Sequence, residues 1–157
     1  STRKKYDPIV DWKLPPQEEV DEFFKKNVER LYQLTSPVFL STDVDGKRWK
    51  GLGQIPSEGP LLFVGNHQLI GLDLGMVISE LLMKRGIIVR GLAHPIAIRS
   101  DKRKAVGEPD TPGLTTNEPV VAFGTQYFEK FGAVLVTPRN YYRLLQTGQN
   151  VLLFPGG

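Results

Sequence analysis

Four short apolar runs, at 61–64, 87–92, 133–136 and 151–154, are separated by segments with helical patterning. Runs this short are the length of buried strands, and alternation with helices is the signature of crossover-connected parallel sheets. The helical pattern is clearest over 72–85, where Leu72, Met76, Val77 and Leu81 recur at helical spacing and Gly86 supplies a stop. A shorter helix is expected over 141–146, and another over 120–131, where Phe123, Tyr127, Phe128 and Phe131 largely share one side. The expected fold class is α/β: a layered, largely parallel sheet with flanking helices.

The chain's 157 residues suffice for one domain with a real core. Residues 1–15, with Pro8 and Pro15, read as a linker or loosely docked N-terminal arm. Residues 16–157 form the domain. Between Pro16 and Leu34, Val20, Phe23, Phe24, Val28, Leu31 and Leu34 define one apolar helix face. That face either packs on the domain or meets a membrane surface, with Lys25, Lys26 and Arg30 toward headgroups. Asp45-Gly46, between runs at 38–42 and 47–52, signals a hairpin. Residues 100–119 read as a long surface loop. The end of the chain, a strand feeding Gly156-Gly157, suggests that the sheet continues beyond it.

Composition narrows the chemistry. The chain has no cysteine, which removes thiolate nucleophiles, thiolate metal sites and disulfides, and only two histidines, which argues against a histidine-rich metal site. A net charge of +3 permits only a weak preference for anionic surfaces. No basic stripe interleaved with aromatics suggests nucleic acid. No apolar stretch approaches the roughly 20 residues of a spanning helix.

His67 follows the run at 61–64, where α/β sheets present their sites, and Asp73 lies six residues on. An imidazole there can take a proton from an attacking alcohol, and a carboxylate on its other nitrogen would fix its tautomer. The plainer readings are a histidine capping the helix and an acid favoured by the helix dipole. There is no Gly-x-Ser-x-Gly elbow, so the transfer would be direct rather than through a covalent serine.

The run Val64-Gly-Asn-His-Gln-Leu-Ile-Gly-Leu-Asp73 resembles the first motif of the glycerolipid acyltransferase (lysophospholipid acyltransferase-like) superfamily, in particular its plant phytyl ester synthase and diacylglycerol acyltransferase-like branch. Five residues separate His67 from Asp73 where the common motif has four, which would rotate the acid by about 100° in a regular helix; Gly71 could absorb this. Gly132-Ala-Val-Leu-Val-Thr-Pro-Arg139 resembles the second block and Phe154-Pro-Gly-Gly157 the third. The resemblance covers residues 38–157. It implies that 16–157 is the N-terminal part of an acyltransferase domain, with His67 and Asp73 catalytic. Arg139 would bind a polar headgroup, and Gly156 and Gly157 would line the acyl carbonyl site. His94-Pro95 also resembles that branch, but a loop histidine beside proline reads as structural. The implied donor is acyl-CoA or acyl-carrier protein and the acceptor phytol or diacylglycerol, with no metal and no bound cofactor. The implied location is the plastid, at thylakoid or plastoglobule lipid, with a peripheral membrane or lipid-droplet surface as partner. An esterase or thioesterase using the same histidine, and a non-catalytic lipid-binding fragment, are the competing expectations.

Overall fold

The computed structural model describes residues 5–66, 72–95, 98 and 128–155. Two helical pieces, α1 (Gln17–Phe23) and α2 (Glu29–Thr35), are joined without a break by a π-helical turn, Phe24–Val28. Pro16 starts the rod, its carbonyl accepting from the Glu19 and Val20 amides. In the wide turn the Asn27 side-chain amide donates to the Phe23 carbonyl at 2.9 Å, giving that oxygen a partner there. Val20, Phe24 and Val28 are buried against Met76, with the Phe131 ring 4.6 Å from that of Phe23. Of the two readings of this helix, packing on the domain is the one observed. Val20, Phe23, Phe24, Val28 and Leu31 of its apolar face pack on the domain, while Leu34 is 83% exposed and Lys25, Lys26 and Arg30 stay exposed.

Strands β1 (Leu40–Thr42) and β2 (Arg48–Lys50) pair antiparallel in the expected hairpin. Gly46 turns the chain at φ +82°, a conformation that side chains with a Cβ resist. The central sheet contains β3 (Leu62–Val64), β4 (Val89–Ala93), β5 (Val134–Leu135) and β6 (Asn150–Leu153), in the order β3-β6-β4-β5. All of its pairings are parallel. Helix α3 (Leu72–Arg85) follows β3, and α4 (Pro138–Gln146) connects β5 to β6. The sheet and its helices bear out the α/β expectation.

Side-chain alternation divides the sheet into two packed layers. Leu152 and Val89 face Leu81 of α3, joined by Phe63, Val77 and Phe154. On the other face Val134 and Val151 meet Leu144 of α4 and Ile9 of the N-terminal arm. The arm is therefore docked where it is described, not loose. Ile9 is 2% exposed, and the Asp7 carboxylate pairs with Arg143 at 2.5 Å. A single aliphatic side chain filling a gap in the core outweighs the extended bias of the surrounding prolines.

One strand departs from expectation. The run at 61–64 reads as buried, yet Leu62 and Val64 are 43% and 61% exposed. Strand β3 lies at the edge of the sheet, and α4 and the arm cover the middle of that face instead. The expected loop at 100–119 and most of the expected helix at 120–131 lie outside the described residues; 128–131 form a turn. Among the described residues no helix is long and apolar enough to cross a membrane.

Candidate active site

The carboxyl edge of the sheet collects the exits of β3, β6, β4 and β5. Strands β3 and β6 run side by side, with Val64 opposite Leu153, and the Gly65 amide extends the ladder to the Leu153 carbonyl at 3.2 Å. The segments Gly65-Asn66 and Phe154-Pro155 thus leave the sheet one strand spacing apart, roughly 5 Å. Gly65 makes this closeness possible. A Cβ there would stand 3.0 Å from Phe154 Cε1, tighter than ordinary contact. His67 continues one segment, and Gly156 and Gly157 continue the other; all three lie outside the described residues. Asn66, the last described residue before the histidine, is exposed.

Asp73 is in the first turn of α3, where the helix dipole favours a negative charge. Its Oδ1 is buried and has no hydrogen-bond partner among the described residues. A buried carboxylate oxygen without a donor costs about 1–3 kcal/mol or more, so native structures rarely leave one unexplained. What this oxygen lacks is an N–H or O–H donor, the group an imidazole at the β3 exit would bring.

Arg139 sits in the first turn of α4, at the same edge but behind β5. Thr137 caps that helix, its hydroxyl accepting from the Asn140 amide, and the Asn140 side chain donates to the Leu135 carbonyl. Three inter-strand steps, roughly 14 Å, separate β5 from β3, so Asp73 and Arg139 occupy opposite ends of the edge. Arg139 is exposed and has no ion pair among the described residues, at the helix end where a cation is disfavoured. An anion would be favoured there by both the guanidinium and the dipole.

His94 was expected to have a structural role only. It is exposed at the exit of β4, between the exits of β6 and β5. The histidine-proline pair was visible in the sequence; what was not is the strand order that brings β4 next to β6. Among the described residues no three His, Asp or Glu side chains gather as a metal site requires.

Comparison with known proteins finds two similar chains. The chain is 36% identical over 154 residues to phytyl ester synthase 1, chloroplastic, of Arabidopsis thaliana. It is 34% identical over 157 residues to phytyl ester synthase 2, chloroplastic, of the same plant. Each match covers 98% of this chain and 20% of the relative's length. No family model matches the chain, and no solved structure does. Along nearly all of its own length, and over a fifth of theirs, the chain is similar to the chloroplastic phytyl ester synthases.

Proposed function

We propose that this chain carries part of an O-acyltransferase that moves a fatty acyl group from a thioester, acyl-CoA or acyl-carrier protein, to a lipid alcohol, phytol or diacylglycerol. His67 removes the hydroxyl proton as the oxygen attacks the thioester carbonyl. The tetrahedral intermediate expels the thiolate, which regains a proton from the imidazolium. Asp73 holds the imidazole in the required tautomer. The backbone N–H groups of Gly156 and Gly157 face the developing oxyanion, and Arg139 takes an anionic or polar part of donor or acceptor. The relatives are named chloroplastic, which supports a plastid location; we propose thylakoid or plastoglobule lipid as the place of action.

The observation that carries this reading is the alignment with phytyl ester synthases along 98% of the chain. The orphaned Asp73 oxygen at the carboxyl edge adds independent support, because it supplies the acceptor that the proposed base needs. Purified protein given radiolabelled acyl-CoA and phytol should form phytyl ester, and His67→Ala should lower the rate by about 10²–10⁴ while leaving the circular dichroism spectrum unchanged. Turnover retained in His67→Ala would reject the base. Free fatty acid released equally with and without phytol would replace transfer by hydrolysis.

A further inference from the structure

At the opposite, amino edge of the sheet a cleft of about 450 Å³ opens between the docked arm and the strand starts. The whole length of β6 separates it from the carboxyl edge. Ile9, Val10 and Leu14 of the arm and Ile88 before β4 supply aliphatic wall, and the Trp12 indole stands beside them. The floor is Arg90, 1% exposed. Its guanidinium donates to the Gly132 carbonyl, the Gln149 side-chain oxygen and the Pro8 carbonyl, and lies 4.2 Å from the Trp12 ring centroid. All three acceptors are neutral, so the positive charge has no carboxylate against it. Burial pulls the Arg90 pKa down to about 10, leaving it cationic at neutral pH. Lys13, exposed and without an ion pair among the described residues, adds a second cation to the lining, whose described residues include no acidic side chain.

A volume of this size suits a small organic molecule. Two uncompensated cations on a mostly aliphatic and aromatic lining select its character. We propose that this cleft binds an anionic amphiphile, a molecule with a carboxylate or phosphate head and a short hydrocarbon body. The head lies toward Lys13 and Arg90, and the body lies along Ile9, Val10, Leu14 and Ile88. One wall is the arm and the other is the sheet edge, so the bound molecule fastens the arm to the domain. Nothing in this site depends on acyl transfer, and loss of that activity leaves it standing.

The chain has two tryptophans, so Trp49→Phe leaves Trp12 as the sole indole reporter. In that background octanoate, octyl phosphate, octanol and inorganic phosphate are titrated separately while Trp12 fluorescence is followed. At least one of the two amphiphilic anions should give a saturable change, and octanol and inorganic phosphate should each bind several-fold more weakly than it does. Lys13→Ala removes an exposed, unpaired side chain and keeps the fold; it should weaken the amphiphilic anion about fivefold and leave octanol unchanged. Val10→Asp, on the exposed rim, should weaken it further. The proposal is overturned if neither amphiphilic anion saturates, if octanol or inorganic phosphate binds as tightly, or if Lys13→Ala leaves anion affinity untouched.

Discussion

The two edges of the parallel sheet treat their polar groups in opposite ways. At the amino edge, side chains facing the protein are satisfied. Arg90 donates to three acceptors. Asn150 accepts from the Leu61 amide and donates to the Ile88 carbonyl, and Gln149 donates to the Ile9 carbonyl and to Thr147. At the carboxyl edge, among the described residues, Asp73 keeps a buried oxygen without a donor and Arg139 stands unpaired at the wrong end of a helix dipole. Groups that hold a fold together are saturated in the folded chain itself, whereas groups awaiting a substrate or a reacting neighbour retain unused capacity. The contrast marks the inward-facing hydrogen-bond network of the amino edge as scaffold and the carboxyl edge as the candidate reaction site.

The strongest way to break this contrast is at Arg90. Arg90→Leu strands the Gly132, Pro8 and Gln149 oxygens and removes the link from β4 to the arm, to the segment before β5 and to the turn before β6. The expected loss is about 3–5 kcal/mol, read as a lower urea midpoint. A midpoint within error of wild type would mean that the network is incidental to stability. Asp73→Asn tests the other edge. It keeps the shape of a side chain whose buried oxygen has no donor among the described residues, so stability should change by less than about 1 kcal/mol, the scale of the lost dipole interaction, while acyl transfer falls by about 10² or more because an amide cannot select the right imidazole tautomer. Wild-type activity in Asp73→Asn would assign the acid to the helix dipole alone. Equal effects of both variants on stability would erase the distinction between the edges.

How much of this was legible beforehand differs by level. Element type came through wherever the local pattern was strong. The helix at 72–85 has the expected bounds, and the Asp45-Gly46 hairpin forms as the turn chemistry requires. The parallel sheet followed from alternation, but its order did not, because β6 between β3 and β4 is set by packing among segments far apart in sequence. The same order exposes Leu62 and Val64, whose apolar character alone suggested burial. The arm was misjudged for a related reason. Proline signals extended chain, and nothing in Pro8-Ile9 announces that Ile9 fills a gap between Val134, Leu144 and Val151. At the site, residue types and motif order were readable. The buried, unpartnered state of the Asp73 oxygen was not, since it depends on what packs over the start of α3.

A smaller effect sharpens the comparison at the carboxyl edge, where the exits of β3 and β6 begin. Gly65→Ala would bring a methyl to 3.0 Å from the Phe154 ring. Because the ring must give by only a few tenths of an ångström, the stability cost should be about 1 kcal/mol. The displaced ring would shift the Phe154-Pro155 segment away from Asn66. Activity should therefore fall more than stability does, measured as kcat against the thermal midpoint. If both decline in proportion, Gly65 serves packing only.

The smallest effect belongs to the arm. The Arg143 guanidinium, followed by amides including that of Ile9, holds the Asp7 carboxyl below the usual carboxylate range, against an opposing push from partial burial. A lowered folded-state pKa means that the unfolded chain binds the proton more readily. The pair's contribution is then fully present above the unfolded value near about 4, and it is lost as pH falls through the lower folded value. Both side chains are about two-thirds buried, and solvent screening limits the pair to about 1 kcal/mol or less. Asp7→Asn should be less stable than wild type by this amount at neutral pH, and the difference should close as the solution is acidified below about pH 4. A gap that persists unchanged at low pH would mean that the amide disturbs the turn capping at Ile9 instead. The Asp7–Arg143 pair would then add nothing to the docking of the arm, which would rest on the burial of Ile9 and on the hydrogen bonds from Arg90 and Gln149 to the Pro8 and Ile9 carbonyls.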